Sequence, residues 1–293
     1  MSILYIRAMG ALWFPSNTHT HTHIHTMSSG QLQVNVNELR SKLIENKQYP
    51  VYNYPDLYPH TTWIYETVGI CKLPKTGKEV VIKIKSGLYE ANMIYLAGEC
   101  ATPICGLLVN GPETMGIVME RCRPLNASGK SSKEKARFAT AMYRLVERLH
   151  ERKRIIHADI KADSFLVQPQ GDLRLCDFGG SALGADPNGV TQWTMGRLSP
   201  YRYVYEKDEV MWGVEDDNYA LAIAIWEMWV GRVPLGNLTQ GSREWEHAVL
   251  SGNTINPADI GDESTRVLVE RLMGPALQRG GSILAARLQA CSP

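Results

Sequence analysis

Two carboxylates set the chemistry this chain could do. Asp159 follows His157-Ala158, Asp177 precedes Phe178-Gly179, and 18 positions separate them. Between them lie Phe165-Leu166-Val167, the turn residues Pro169-Gln170-Gly171-Asp172, and Leu173-Arg174-Leu175-Cys176. Short apolar runs on either side of such a turn predict a β-hairpin, which folds the chain back and brings both aspartates to one mouth. Placed so, one carboxylate can orient a hydroxyl nucleophile while the other holds a metal ion on a phosphate. Either aspartate alone could simply be a turn former. The company of His157, Phe178-Gly179 and Asp217 favours chemistry.

Other elements must position that hairpin. Trp63-Ile64-Tyr65 and Val68 to Leu73 read as strands, and Pro74-Lys75-Thr76-Gly77-Lys78 as a turn. Glu79 to Lys85 is a strong β run containing Lys83, and a lysine there is ordinarily a solvated face residue. Glu90 opens a helix over 87–98, with Ala91, Ile94 and Tyr95 spaced for packing. Leu107-Leu108-Val109 and Gly116 to Glu120 form a hairpin around Asn110-Gly111-Pro112. Ser131-Ser132-Lys133-Glu134 is a capping box. The helix it starts buries Ala139, Met142, Val146 and Leu149 and ends near Arg152-Lys153-Arg154, where cations suit the macrodipole. Asp216-Asp217-Asn218 reads as the cap of YALAIAIWEMWV, which is apolar all round and therefore buried; Gly231 suits its C-terminal cap.

The chain has 293 residues, 44% hydrophobic and 21% charged, with a net charge of +1. That composition fits a globular protein and argues for neither bulk nucleic-acid nor membrane attraction. The six cysteines include no CxxC pair and read as reduced core thiols, not a disulfide frame or zinc site. No apolar run is long enough to span a membrane. Residues 1–26 look foreign to the rest. MSILYIRAMGALWF imitates a secretion signal but lacks a small-residue cleavage site, and THTHTHIHT could bind metal. The reading preferred is a disordered tail or a misassigned start upstream of Met27, in a cytoplasmic or nuclear protein. A short amphipathic helix over Val36 to Lys47 and a Pro/Tyr-rich extended connector follow.

The order lysine strand, glutamate helix, hairpin edge, HxD, DFG, Ser199-Pro200 and Asp217-x-Tyr219 resembles the protein kinase superfamily over residues 60–275. Lys161, two residues after Asp159, resembles the serine/threonine type. The HADIKADS, LCDFG, SPYR and DxYALxxxIWE strings resemble compact, divergent kinase-like proteins of filamentous fungi. The resemblance implies an α+β, two-lobed fold, with an N-terminal extension over 1–59, an N-lobe over 60–122, a C-lobe over 123–280 that looks truncated, and a tail over 281–293. It also implies ATP and Mg²⁺ as cofactors and a protein substrate. Lys83 would align the phosphates and Glu90 would fix Lys83. Met119 would be the gatekeeper, and Glu120 to Cys122 the hinge meeting adenine. Asp159 would orient the substrate hydroxyl, Lys161 steady the γ-phosphate and Asp177 hold Mg²⁺, with Ser164 as a second ligand.

The chain departs from that pattern in four places. No GxGxxG precedes Lys83, and only Gly69 stands near the right place. Ser164 replaces the metal-binding asparagine, with Asp163 beside it as a substitute if turned inward. Ala158 replaces the HRD arginine, which predicts no need for activation-loop phosphorylation. Tyr201 replaces the APE glutamate. An active serine/threonine kinase and a pseudokinase acting as a binding module are both consistent with this mixture. Small-molecule phosphotransfer is the minor third option.

Overall fold

The structure, a computed structural model, describes residues 49–183, 213–239 and 242–290. The helix expected over Val36 to Lys47, the histidine tract and the segment Thr191 to Arg202 lie outside them.

Six strands come first: β1 (Val51–Asn53), β2 (Thr61–Trp63), β3 (Val68–Lys72), β4 (Glu79–Ile84), β5 (Ile104–Asn110) and β6 (Glu113–Glu120). They form one sheet in the order β1-β5-β6-β4-β3-β2. Helix α1 (Leu88–Ala97) lies between β4 and β5 in sequence. The alternation of β4 decides which way Lys83 points. Val80 and Ile82, almost wholly buried, pack with Leu57, Cys71, Leu108 and Val118 on one face. Burying each such side chain contributes roughly 1.5–3 kcal/mol. Val81 and Lys83 must therefore take the other face, where Val81 packs against the larger core containing Leu107, Ile117, Met119 and α1. Gly116 of β6 pairs with Ile84, and a Cβ there would strike the Lys83 carbonyl. This glycine lets β6 close on the strand that carries Lys83.

The expected connector after residue 48 is instead partly strand. β1 pairs in parallel with β5, Val51 opposite Leu107, and a helical turn over Tyr54–Leu57 follows.

After β6 most of the residues in regular structure are helical, although short strands lie between the helices. The elements are β7 (Arg123–Pro124), α2 (Ser132–Lys153), β8 (Ile155–Ile156), β9 (Phe165–Val167), β10 (Leu173–Leu175), β11 (Ala182–Leu183), α3 (Val214–Val230), α4 (Arg243–Leu250) and α5 (Glu263–Ala290). The capping box of α2 is formed: Glu134 N–H donates to Ser131 Oγ at 3.3 Å and Ser131 N–H to Glu134 Oε2 at 3.0 Å. Arg154, left-handed at φ 55°, ends that helix. Helix α3 is buried nearly all round and packs against α2 and α5, as a helix apolar on every side must. Gly231 caps it at φ 77°. It begins at Val214, earlier than the sequence suggests, so Asp217 is not its cap. Gly213 is the N-cap, and Asp216 in the first turn accepts from its N–H at 2.9 Å. Among the described residues no helix is long and apolar enough to cross a membrane.

Candidate active site

The hairpin forms as expected: β9 and β10 pair antiparallel, with Phe165 opposite Leu175. At its open end Ser164 C=O accepts from Cys176 N–H at 3.0 Å, closing the mouth between the two aspartates. Lys83 reaches that mouth from β4. Its Nζ donates to Glu90 Oε1 at 2.8 Å and to Asp177 Oδ1 at 2.9 Å. Lys161 Nζ lies 3.1 Å from Asp159 Oδ2 and 3.7 Å from Asp177 Oδ2. Glu90, Lys83, Asp177, Lys161 and Asp159 thus form one chain of alternating charge from α1 to the loop before β9.

The charges on Lys83, Asp177 and Lys161 are maintained by their neighbours. Burial works against the Lys83 ammonium, but Asp177 and then Glu90 outweigh it and hold its pKa well above the ordinary lysine value. Burial likewise opposes the Asp177 carboxylate, and Lys83 with Lys161 overcomes it, so that pKa is lowered. Burial opposes Lys161 too, and Asp159 with Asp177 raises its pKa. Asp177 still leaves 38% of its side-chain surface open to solvent. The neighbouring Cys176 thiol is pushed well up by burial and then by the Asp177 charge, so it stays protonated and is no nucleophile.

Backbone strain marks both aspartate motifs. Ala158 sits at φ 63° and Asp177 at φ 65°, left-handed positions that L residues avoid. What holds Ala158 there is Asp217. Fully buried, it accepts from His157 N–H at 2.7 Å, from Ala158 N–H at 2.9 Å, and sits 2.8 Å from His150 Nε2. Burial raises the Asp217 pKa, but His150, His157 and the backbone donors more than reverse this, and the net shift is downward. His157 packs on Phe178 with ring centroids 4.8 Å apart. Its Nδ1 accepts from Asp159 N–H at 3.3 Å, which assigns the proton to Nε2, 2.9 Å from the Cys176 carbonyl. His157 therefore ties the two aspartate motifs together as a structural brace.

The departures also have structures. Gly69 lies in β3, where a Cβ would meet Thr61 Cγ2 at 2.5 Å and Thr62 O at 3.2 Å, so its smallness serves the β2–β3 contact. In the loop that follows β2, the N–H groups of Ile64 and Tyr65 both donate to Val68 O, at 2.9 and 3.0 Å. Those donors are committed within the loop. Ser164 is fully buried and its Oγ donates to the Asp159 carbonyl at 3.0 Å. Asp163 is exposed, and its charge bears on Tyr65 and Glu227. Ala158 is buried against Ile156 and Ala182.

At the segment expected to be the hinge, Met119 is buried and Glu120 N–H donates to Pro103 O at 2.9 Å. Glu120 Oε2 accepts from Gln168 Nε2 at 2.5 Å, linking β6 to the end of β9. Cys122 is half-buried, and burial, then Glu120, pushes its thiol up to about 11. Neither Gln168, nor His150, nor Ser86 was expected from sequence. Ser86 Oγ donates to Glu90 Oε2 and so fixes the carboxylate whose other oxygen takes Lys83. A serine four residues before Glu90 was the available signal, but it reads equally as a helix-start residue.

A protein kinase domain family model matches residues 70–268. The chain belongs to the protein kinase family. It is similar to Protein kinase C-like 1B of Caenorhabditis elegans, 25% identical over 177 residues, covering 60% of this chain and 24% of that one. Mitogen-activated protein kinase kinase kinase dlk-1 of the same species is 24% identical over 183 residues, covering 59% of this chain and 18% of its own length. Protein kinase C eta type of Mus musculus is 27% identical over 176 residues, covering 60% and 24% respectively. The chain thus spans about a quarter or less of each of these relatives.

Proposed function

We propose that the protein transfers the γ-phosphate of ATP to a serine or threonine hydroxyl of a protein substrate in the cytoplasm or nucleus. The observation that carries this reading is the unbroken run Glu90–Lys83–Asp177–Lys161–Asp159, with contacts of 2.8–3.7 Å. Lys83, held by Glu90, would meet the nucleotide phosphates. Asp159 would orient the attacking hydroxyl and take its proton, while Lys161 offsets charge on the transferring group. The hinge from Glu120 to Cys122 would present its backbone edge to adenine, since Cys122 makes no backbone hydrogen bond among the described residues. The lobes meeting there are residues 60–122, preceded by β1, and 123–280.

Mg²⁺ would supply charge neutralisation on the phosphates. The residues fit one ion: Asp177 offers an open carboxylate, and magnesium typically takes one or two carboxylates plus phosphate oxygens. Ser164 would add only a lone pair, from a hydroxyl whose proton already goes to Asp159 O.

A second reading, a pseudokinase that binds partners with weak or no catalysis, is favoured by the self-bonded loop at Ile64-Tyr65. One experiment separates them. Phosphate transfer to a basic protein should be measured with ATP and Mg²⁺, alongside nucleotide-induced thermal shift. Transfer lost in Asp159→Asn, with the shift retained, supports the kinase. A shift without transfer in the wild type supports the binding module, and neither signal at millimolar nucleotide sinks the kinase and leaves the binding module.

A further inference from the structure

A second groove, about 570 Å³ in volume, is walled by α2 and by the start of β10 with the turn before it. Lys133, Arg137, Arg144 and Arg148 of α2 line it, joined by Arg174 of β10. At 3.6 residues per turn the four α2 positions fall within about 60° around the helix axis, so they form one stripe. Like charges a turn apart disfavour a helix by roughly 0.2–0.5 kcal/mol per pair. An anionic partner facing the stripe would relieve that repulsion. Among the described residues none of the four makes an ion pair within 4 Å, although the Arg148 charge bears on Glu99, which itself pairs with Lys153. Asp172, the one carboxylate on the walls, lies 3.5 Å from Arg174. The Arg174 guanidinium donates to the Leu173 carbonyl at 3.1 Å, while its buried Nε finds no acceptor. Leu145 and Leu173 give the groove an apolar component.

We infer that this groove docks an extended acidic segment of a partner protein. The spacing argues for that occupant. From Lys133 to Arg148 the stripe covers about 22 Å of helix axis, too long for one phosphate or small anion. An extended chain covers it in about seven residues and points every second side chain the same way, about 6.6 Å apart. That repeat matches the roughly 6 Å rise from Lys133 to Arg137 and again from Arg144 to Arg148, so alternating Glu or Asp at each end of the segment meets a pair of cations, with about 10.5 Å of axis between the two pairs. The small alternate residues then lie against Leu145 and Leu173. The overall charge of +1 provides no general pull on polyanions, so recognition rests on this stripe.

The test uses the full chain and a fluorescent peptide of alternating Glu and Ala, followed by polarisation. Saturable binding that weakens with salt is expected. Arg137→Glu with Arg144→Glu should weaken it about tenfold or more. Both residues are exposed, so the fold should persist; should that pair fail to fold, Arg137→Gln with Arg144→Gln serves, because glutamine is a good helix former. The same charge change at the exposed turn, Lys75→Glu with Lys78→Glu, should leave binding within about twofold. A peptide with Glu at every third position should bind severalfold more weakly. Absence of saturable binding, equal loss from the Lys75/Lys78 pair, or indifference to Glu spacing would each overturn the inference. A DNA oligonucleotide that outcompetes the peptide at the same arginines would overturn the protein partner.

Discussion

Asp177 is half-buried and Asp217 fully buried, and both are held ionised against the desolvation they do suffer. They differ in what holds them. Asp177 is held by two lysine side chains on flexible stems, at an opening. Asp217 is sealed, and its acceptors are filled by backbone N–H groups and a buried histidine. Ammonium groups can turn to a phosphate when one arrives, and the carboxylate is then released to a cation. Backbone donors cannot turn. The first arrangement suits exchange of ligands, and the second fastens the strained Ala158 and, through it, Asp159.

The largest effect should come from breaking the fastener. Asp217→Ala leaves the His157 and Ala158 N–H groups and His150 without their acceptor in a dry interior. It should cost about 3–5 kcal/mol, read from the denaturant midpoint. The lowered Asp217 pKa means its contribution is present above the ordinary carboxylate range and lost as pH falls through the folded value. Asp177→Asn is the counterpart. It should change stability by no more than about 1 kcal/mol, because Lys83 keeps Glu90, yet abolish any Mg²⁺-dependent nucleotide shift. If the two variants lost stability equally, the distinction between exchangeable and fixed carboxylate would fail.

Glu227 on α3 sharpens the contrast, since it is a partly buried carboxylate with no cationic partner among the described residues. Burial, then the charge of Asp163, raises its pKa to about 7. Below the ordinary glutamate value it is protonated folded or unfolded. Between that value and about 7 the folded state binds more protons, so stability should fall as pH rises through this window and level off above it. The fall attributable to this group should be on the order of 1–3 kcal/mol, the upper bound being reduced by its partial exposure. Urea midpoints at pH 5 and 7.5 for wild type and Glu227→Gln test this. The same pH dependence in both would remove Glu227 as the cause.

How much of this was legible in the sequence depends on the range of the interactions. The hairpin, the α2 capping box and Gly231 are local patterns, and each formed where the sequence puts it. Lys83, Glu90, Asp159 and Asp177 could be named because they sit within recognisable strings. β1 was not legible, because a parallel pairing of Val51 with Leu107 has no turn to announce it. Asp217 was misread as a helix cap for a related reason. Acidic residues at a helix start are expected there, and nothing local shows that its partners lie some 60 residues earlier. Gly116 reads as an ordinary strand glycine until the Lys83 carbonyl is seen against it.

The smallest expected effect concerns Ser86, which tests whether the open cluster has any fixed part. Glu90 is 5% exposed and divides its oxygens between Lys83 and Ser86, itself 4% exposed. Ser86→Ala removes a hydroxyl donor and leaves Glu90 Oε2 facing a small void. Stability should drop by about 1 kcal/mol, typical of one lost hydrogen bond. The consequence for ligand should exceed that for folding, because an untethered Glu90 lets Lys83 swing wholly to Asp177. Nucleotide should then bind about fivefold more weakly without loss of its Mg²⁺ requirement, whereas Ser86→Thr, which keeps the hydroxyl, should restore affinity. Unchanged nucleotide affinity in Ser86→Ala would mean that Asp177 alone orients Lys83, and that the fixed part of this region ends at Asp217 and the loop it holds.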